Sequence, residues 1–198
     1  MGVADDPRVY DAIQFLAGRH VIDKRVRRIL AGASGATVLD VGAGTGTIAT
    51  LLPADAQYWA LDNDPAKLER LAHKVPGARR LLRSAVDTGL EDAAVDWTVC
   101  IDVAHHLDDR ELPGFTHELA RITRHRLLFV DPLWSARPSL GRVLWRYDRG
   151  AHPRTAERLR QALEADFEIE STDRFRAIHR YMLCVCKPRR AAVAAAAA

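Results

Sequence analysis

The chain has 198 residues, and 29 Lys and Arg against 26 Asp and Glu leave a formal charge of only +3. Hydrophobic residues make up 48% and charged residues 28%, a balance that excludes wholesale disorder, and no apolar run approaches the roughly 18 residues of a membrane span. The mild charge gives no reason to expect nucleic acid as a partner, and 25 of the 29 cations are Arg, so abundant arginine is discounted as a functional signal.

The length fits one domain, expected over residues 1–190. Asp5 or Asp6 can cap a first helix with Pro7 in its first turn, and a second runs from about Val21 to Leu30, its basic side (Lys24, Arg25, Arg27, Arg28) read as a solvated face. Strand and helix then alternate. Thr37–Val41 reads as a buried strand, followed by a glycine-rich turn and a short helix to about Leu52; Gln57–Leu61 is a second strand, and Asp64-Pro65 opens the next helix. Arg80–Arg83, Val95–Ile101 and Leu127–Val130 supply three more strands, with a helix over about Arg110–Arg121 between the last two. After a helix over about Thr155–Leu163, capped by Thr155, the runs beginning at Phe167 and Tyr181 read as an antiparallel hairpin. Such alternation specifies a parallel sheet with right-handed crossovers and helices on both faces, a doubly wound α/β fold. Residues 132–152 form the longest irregular stretch, where a lid over the substrate is expected, and 191–198 are an Ala-rich tail.

Three cysteines, Cys100, Cys184 and Cys186, make no disulfide framework and read as buried small hydrophobes. No Cys/His pairing has metal-ligand spacing, so no metal site is expected. The first residues lack an apolar signal core, and the cytoplasm is the expected compartment.

The informative segment is Asp40-Val41-Gly42-Ala43-Gly44-Thr45-Gly46, leaving a strand and opening a helix. Glycine supplies the φ values such a turn needs and lets backbone N–H groups approach a ligand. Asp62 ends the next strand, 62 − 42 = 20 residues after Gly42, where a carboxylate can accept from both hydroxyls of a ribose. A dinucleotide fingerprint can be laid on Gly44, Gly46 and Ala49, which leaves Asp40 and Gly42 without a role. The frame starting at Asp40 uses every special residue. Its acid repels a pyrophosphate and suits a ligand carrying an ammonium and a sulfonium.

Here the sequence resembles the class I S-adenosylmethionine-dependent methyltransferases, in particular their small-molecule type 11 branch, over about residues 36–131. Asp40 to Gly46 matches the first motif and Ala60-Leu61-Asp62-Asn63-Asp64-Pro65 the second. Val95–Cys100 is similar to the fourth strand, His105-His106-Leu107 to the segment after it, and Glu118-Leu119-Ala120-Arg121 to the helix before strand five. The resemblance implies a seven-stranded, mostly parallel sheet in the order 3-2-1-4-5-7-6 with strand 7 antiparallel, and S-adenosylmethionine as cofactor. It implies that Asp40, Gly42, Ala43, Gly44 and Gly46 shape the methionine–ribose cradle and that Asp62 holds the ribose. Asn63 then flanks the adenine, Ala85 and Val86 border it, and Ile101 and Asp102 border the methionine end. The family's adenine-binding Asp after strand three is absent; Arg83-Ser84-Ala85-Val86-Asp87 stands there, and Ser84, Asp87 or backbone groups are the alternatives. The Asn-Pro-Pro-Tyr signature of amino-methylating nucleic-acid and glutamine enzymes and the Pro-Cys nucleophile of the cytosine-C5 type are also absent, which points away from those classes without excluding others.

A base is needed where the acceptor still carries a proton at attack, and His105 and His106, at the sheet edge that carries ligands, are the candidates. The alternative for the pair is capping of the helix near Asp108. Asp131 at the end of strand five, with Trp134, Trp145 and Tyr147 beyond it, are the candidate substrate residues. His152 reads as part of a turn. The rival functions are a nicotinamide-dependent oxidoreductase, a non-catalytic cofactor-binding module, and a methyltransferase acting on protein or RNA.

Overall fold

The computed structural model describes residues 18–134, 152–177 and 179–189. Seven strands form one sheet: β1 (Thr37–Val41), β2 (Gln57–Asp62), β3 (Arg79–Leu82), β4 (Val95–Ile101), β5 (Thr123–Leu133), β6 (Phe167–Arg176) and β7 (Arg180–Pro188), in the order β3-β2-β1-β4-β5-β7-β6. The first five pair in parallel, and β7 runs antiparallel to both β5 and β6. Winding reverses between β1 and β4, which opens a crevice at the carboxyl ends of those strands.

Alternation along each strand divides the core into two faces. Val38, Val99, Leu128, Val130, Leu183 and Val185 pack under α1 (Arg19–Leu30). Leu39, Val41, Cys100, Leu127, Phe129, Met182, Cys184 and Cys186 pack against α3 (Glu111–Ile122) and α4 (Ala156–Asp166). Helix α1 buries Ile22, Val26 and Leu30 at four-residue spacing, each worth about 1.5–3 kcal/mol. Helix α2 (Pro65–Lys74) buries Leu68 and Leu71 beside Ala60, on the same face as α1. Its start follows the sequence signal: Asp64 accepts from the N–H of Ala66 and Lys67, and Pro65 takes the first position. Thr155 likewise accepts from Arg158 N at the head of α4.

Some expectations are corrected. The helix after the glycine turn is a single 3₁₀ segment, Thr47–Leu51, because Gly46 at φ 81° delays its start and Pro53 follows closely. Strand β5 begins at Thr123, directly after α3, and continues to Leu133, so Asp131 does not end it. On the β4 side pairing stops at Ile101–Val130, but antiparallel β7 goes on pairing Asp131, Pro132 and Leu133 with Met182, Tyr181 and Arg180. The late hairpin is also longer than its apolar runs, because β6 and β7 pair through charged positions to Arg176–Arg180. The basic side of α1 is not all solvated. Arg25 pairs with Asp173 at 2.9 Å and lies over the Phe175 ring, while Lys24, Arg27 and Arg28 are exposed. The first helix near Asp5, most of the 132–152 stretch and the Ala-rich tail lie outside the described residues.

Candidate active site

Register places the site residues together. Val41 is level with Leu61 of β2 and Cys100 of β4, and Ile101 with Val130 of β5. The residues just beyond, Gly42–Gly46, Asp62, Asp102 and Asp131, therefore share the carboxyl edge of the sheet at the switch point.

The glycine loop turns back over β2, with the N–H groups of Gly42 and Ala43 both donating to Leu61 O. Gly42, Gly44 and Gly46 have φ of 73°, 54° and 81°, values that L side chains rarely adopt. A Cβ on Gly42 would lie 2.4 Å from Val103 Cγ2, and one on Gly46 2.9 Å from Leu71 Cγ, whereas at Gly44 nothing lies nearer than Gly42 O at 4.0 Å. The outer glycines are packed from behind, and the middle one faces open space.

Asp62 is 4% exposed and grips the loop directly. Its Oδ2 accepts from Gly44 N and its Oδ1 from Asp64 N, both at 2.9 Å, with Lys67 Nζ at 3.9 Å from Oδ1. Each carboxylate oxygen has two acceptor directions, so capacity for a ligand hydroxyl remains. Asn63, the next residue, is exposed.

Asp40, inside β1, is buried and accepts from the Tyr58 hydroxyl at 2.8 Å. Burial pushes its carboxyl up to about 7, against the lowering effect of the Tyr58 bond and the Arg19 charge, and Asp62 adds repulsion. Burial, together with Asp40, also pushes the Tyr58 phenol upward, which keeps it a donor. Arg19 opens α1 and pairs with Asp23 at 2.8 Å. Burial opposes its charge, but Asp23 and the fields of Asp102 and Asp40 hold its pKa above the usual value. Neither Tyr58 nor Arg19 stood out in the sequence, because each partner is brought close only by the fold.

Ala85 and Val86 are half-buried after β3. The Ser84 hydroxyl accepts from Val86 N at 3.3 Å, and Asp87 is exposed. The next residues are fastened from α3: Glu118 Oε1 accepts from both the N–H (2.9 Å) and the hydroxyl (2.5 Å) of Thr88, and Arg121 bridges Glu118, Asp92 and Leu90 O. Burial opposes ionisation of Glu118, but the Arg121 and Thr88 bonds prevail and lower its pKa.

On the other side of the switch point, Ile101 is buried and Asp102 sits at φ 59°, its N–H donating to Val130 O. The 3₁₀ turn Ala104–His106 follows. The two histidines differ sharply. His105 is 2% exposed with its Nδ1 3.0 Å from Asp131 Oδ1, whereas His106 is exposed, its ring 4.2 Å from that of His105. Asp131 is 1% exposed. Asp108, not the histidine pair, caps α3: its Oδ1 accepts from Arg110 N and Glu111 N, and Glu111 returns a bond to Asp108 N. Those backbone bonds, Glu111's first, lower the Asp108 pKa.

Trp134 is 41% exposed just past β5; Trp145 and Tyr147 lie outside the described residues. His152 is exposed and donates its N–H to His105 O at 3.0 Å. Arg154, a further residue the sequence did not single out, is 5% exposed and bonded to the carbonyls of Ala104 and Leu107. Among the described residues no cluster of three His, Cys, Asp or Glu has metal-binding geometry, and no helix is long and apolar enough to cross a membrane.

A switch point, an acid-led glycine loop and an acid ending β2 define a Rossmann-like enzyme for a nucleoside cofactor. Residues 38–126 match the family model of a methyltransferase domain, and the strand order is that of the methyltransferase Rossmann-like fold. No functionally curated protein matches the chain at a significant level. Three solved structures with the same fold are magnesium protoporphyrin IX methyltransferase from Synechocystis PCC 6803 with bound S-adenosylhomocysteine (TM-score 0.74, 17% identity, 89% of this chain and 87% of that one), 1,6-didemethyltoxoflavin-N1-methyltransferase from Burkholderia thailandensis with its acceptor and S-adenosylhomocysteine (0.66, 18%, 95% and 92%), and an S-adenosylmethionine-dependent methyltransferase from Methanosarcina mazei (0.67, 16%, 77% and 92%).

Proposed function

We propose that the chain moves a methyl group from S-adenosylmethionine to an oxygen, nitrogen or carbon of a small-molecule acceptor. One observation carries this reading: the bond from Gly44 N to Asp62 joins the glycine loop and the ribose-side acid at the switch point. The residues fit the cofactor. The space over Gly44 is open, Asp62 keeps acceptor capacity, and Asp40 offers a carboxylate that a cation would draw into its ionised form. In this reading Asp40, Gly42, Ala43, Gly44 and Gly46 border the methionine–ribose part, and Asp62 takes the ribose hydroxyls. Asn63, Ala85 and Val86 flank the adenine, and Ile101 and Asp102 border the methionine end. When bound, the sulfonium supplies an activated methyl group; the protein's task is alignment, worth roughly 7–11 kcal/mol of barrier in well-oriented reactions.

The His105–Asp131 pair favours an acceptor that gives up a proton. With Asp131 as the acceptor of this bond, Nδ1 carries the hydrogen and Nε2 is the basic nitrogen. Of the two histidine candidates, His105 is the better base because its ring is oriented, while the exposed His106 and Trp134 would line the acceptor side. The acceptors named for the magnesium protoporphyrin IX and 1,6-didemethyltoxoflavin methyltransferases support a small-molecule acceptor here. The test is a titration with S-adenosylhomocysteine and NADH, followed by methyl transfer to a panel of phenols, amines and heterocycles. Binding of the former with turnover lost in His105→Ala supports the proposal; binding of NADH alone, or cofactor binding without turnover on any acceptor, overturns it.

A further inference from the structure

Arg154 is buried, yet its one carboxylate partner among the described residues, Asp109, has a side chain 71% exposed, and exposed pairs contribute little. A guanidinium is costly to bury unless its N–H groups are used, and here each of its three nitrogens has an acceptor. Nε and Nη2 reach Asp109 Oδ1 at 3.0 and 2.9 Å, Nη1 reaches Ala104 O at 2.8 Å and His152 O at 3.3 Å, and Nη2 reaches Leu107 O at 2.7 Å. Two of these carbonyls bracket His105 and His106: Ala104 O also accepts from Leu107 N at 3.2 Å within the turn, whereas Leu107 O lies past its end, where no further turn follows to bond it. The same short segment holds the turn a second way, through His152 N to His105 O at 3.0 Å. It is fixed in turn by a bridge between Leu133 and Arg154 and by Trp134 N donating to Arg154 O at 2.8 Å. Asp131, two residues before Leu133, holds the His105 ring. The backbone of the histidine turn and the ring it presents are thus clamped from two segments that are themselves bridged.

We propose that Arg154 is a positioning residue for the methyl-transfer site, fixing the Ala104–Leu107 turn so that His105 stays on Asp131 with its Nε2 presented. The proposal rests on His105 being the base. Arginine is required because a planar fork of five donors spans both carbonyls, which the three donors of a lysine ammonium do not.

The test uses the full chain with ¹⁵N-labelled histidine. The ring-nitrogen shifts of His105 report its tautomer, and S-adenosylhomocysteine affinity reports the cofactor cleft. The wild type shows one dominant tautomer, hydrogen on Nδ1. In Arg154→Lys and Arg154→Met that preference falls by about threefold or more, within the range that positioning residues exert, while cofactor affinity stays within about threefold. Asp109→Asn, which leaves every carbonyl bond in place, keeps the wild-type signature. An unchanged His105 signature in Arg154→Lys overturns the proposal and makes Arg154 a fold staple; that variant keeps the buried charge and decides the matter if Arg154→Met does not fold. Full turnover in His105→Ala removes the base reading instead, and the two failures are read from different variants.

Discussion

Asp62 and Asp40 stand 22 residues apart in sequence and do opposite things with their charge. Asp62 spends one lone pair of each oxygen on a backbone N–H. Asp62→Ala removes the proposed ribose acceptor and leaves Gly44 N without its partner, so S-adenosylhomocysteine binding should weaken by about 1–3 kcal/mol in calorimetry. Unchanged affinity takes Asp62 out of the site. Asp40 is held near neutrality, with a carboxyl at about 7 through burial. A cation placed beside it prefers the ionised form, so cofactor affinity should rise with pH up to about 7, by up to about tenfold per unit, and level off above it. Asp40→Asn should remove that dependence, and an identical slope in the variant assigns it to another group.

At the scale of elements, the loop and its supports behave as units. Gly42→Ala drives a methyl into Val103 and should cost about 1–3 kcal/mol in denaturant unfolding, the usual penalty of overpacking, besides distorting the cradle. Gly44→Val meets no neighbour at its Cβ but is strained at φ 54°; it should leave a less stable, still cooperatively folded chain that no longer binds S-adenosylhomocysteine, and retained binding would show that no ligand lies over Gly44. Helix α3 acts on the segment after β3 through Glu118, which holds Thr88. Glu118→Ala strands Thr88 and Arg121 together and should lower stability by about 1–3 kcal/mol, with faster hydrogen exchange of the Thr88 amide as the local sign. The lowered Glu118 pKa gives a direction: its contribution is present above the usual carboxylate range and is lost as pH falls.

For the whole molecule, the buried Asp40 opposes folding at neutral pH. The native state keeps its proton where the unfolded chain has released it, so stability falls as pH rises from 3.8, its ordinary value, to about 7, an effect on the order of 4 kcal/mol. Asp40→Asn should therefore unfold at higher temperature than the wild type at about pH 8 and lose that advantage near pH 4; a wild-type pH profile in the variant would mean that Asp40 is not buried as described. The cofactor should supply the compensation, since a ligand at 100 times its Kd adds about 2.7 kcal/mol to the native state. S-adenosylhomocysteine should raise the melting temperature accordingly.

The sequence alone determined the strand and helix alternation, the caps at Asp64 and Thr155, and the acid-led glycine turn with Asp62 one unit later. These are local signals: periodicity of burial, φ requirements and spacing along one βαβ step are all written in neighbouring residues. The tertiary structure alone decided which histidine is buried, since His105 and His106 are identical in kind and adjacent in sequence, and only Asp131 on β5 and Arg154 beyond it select between them. It likewise decided the Tyr58–Asp40 bond, the reach of Arg19 and Arg25 from α1, and the extension of β5 past Asp131. Each of these depends on a partner strand or segment whose position is set by packing between distant parts of the chain.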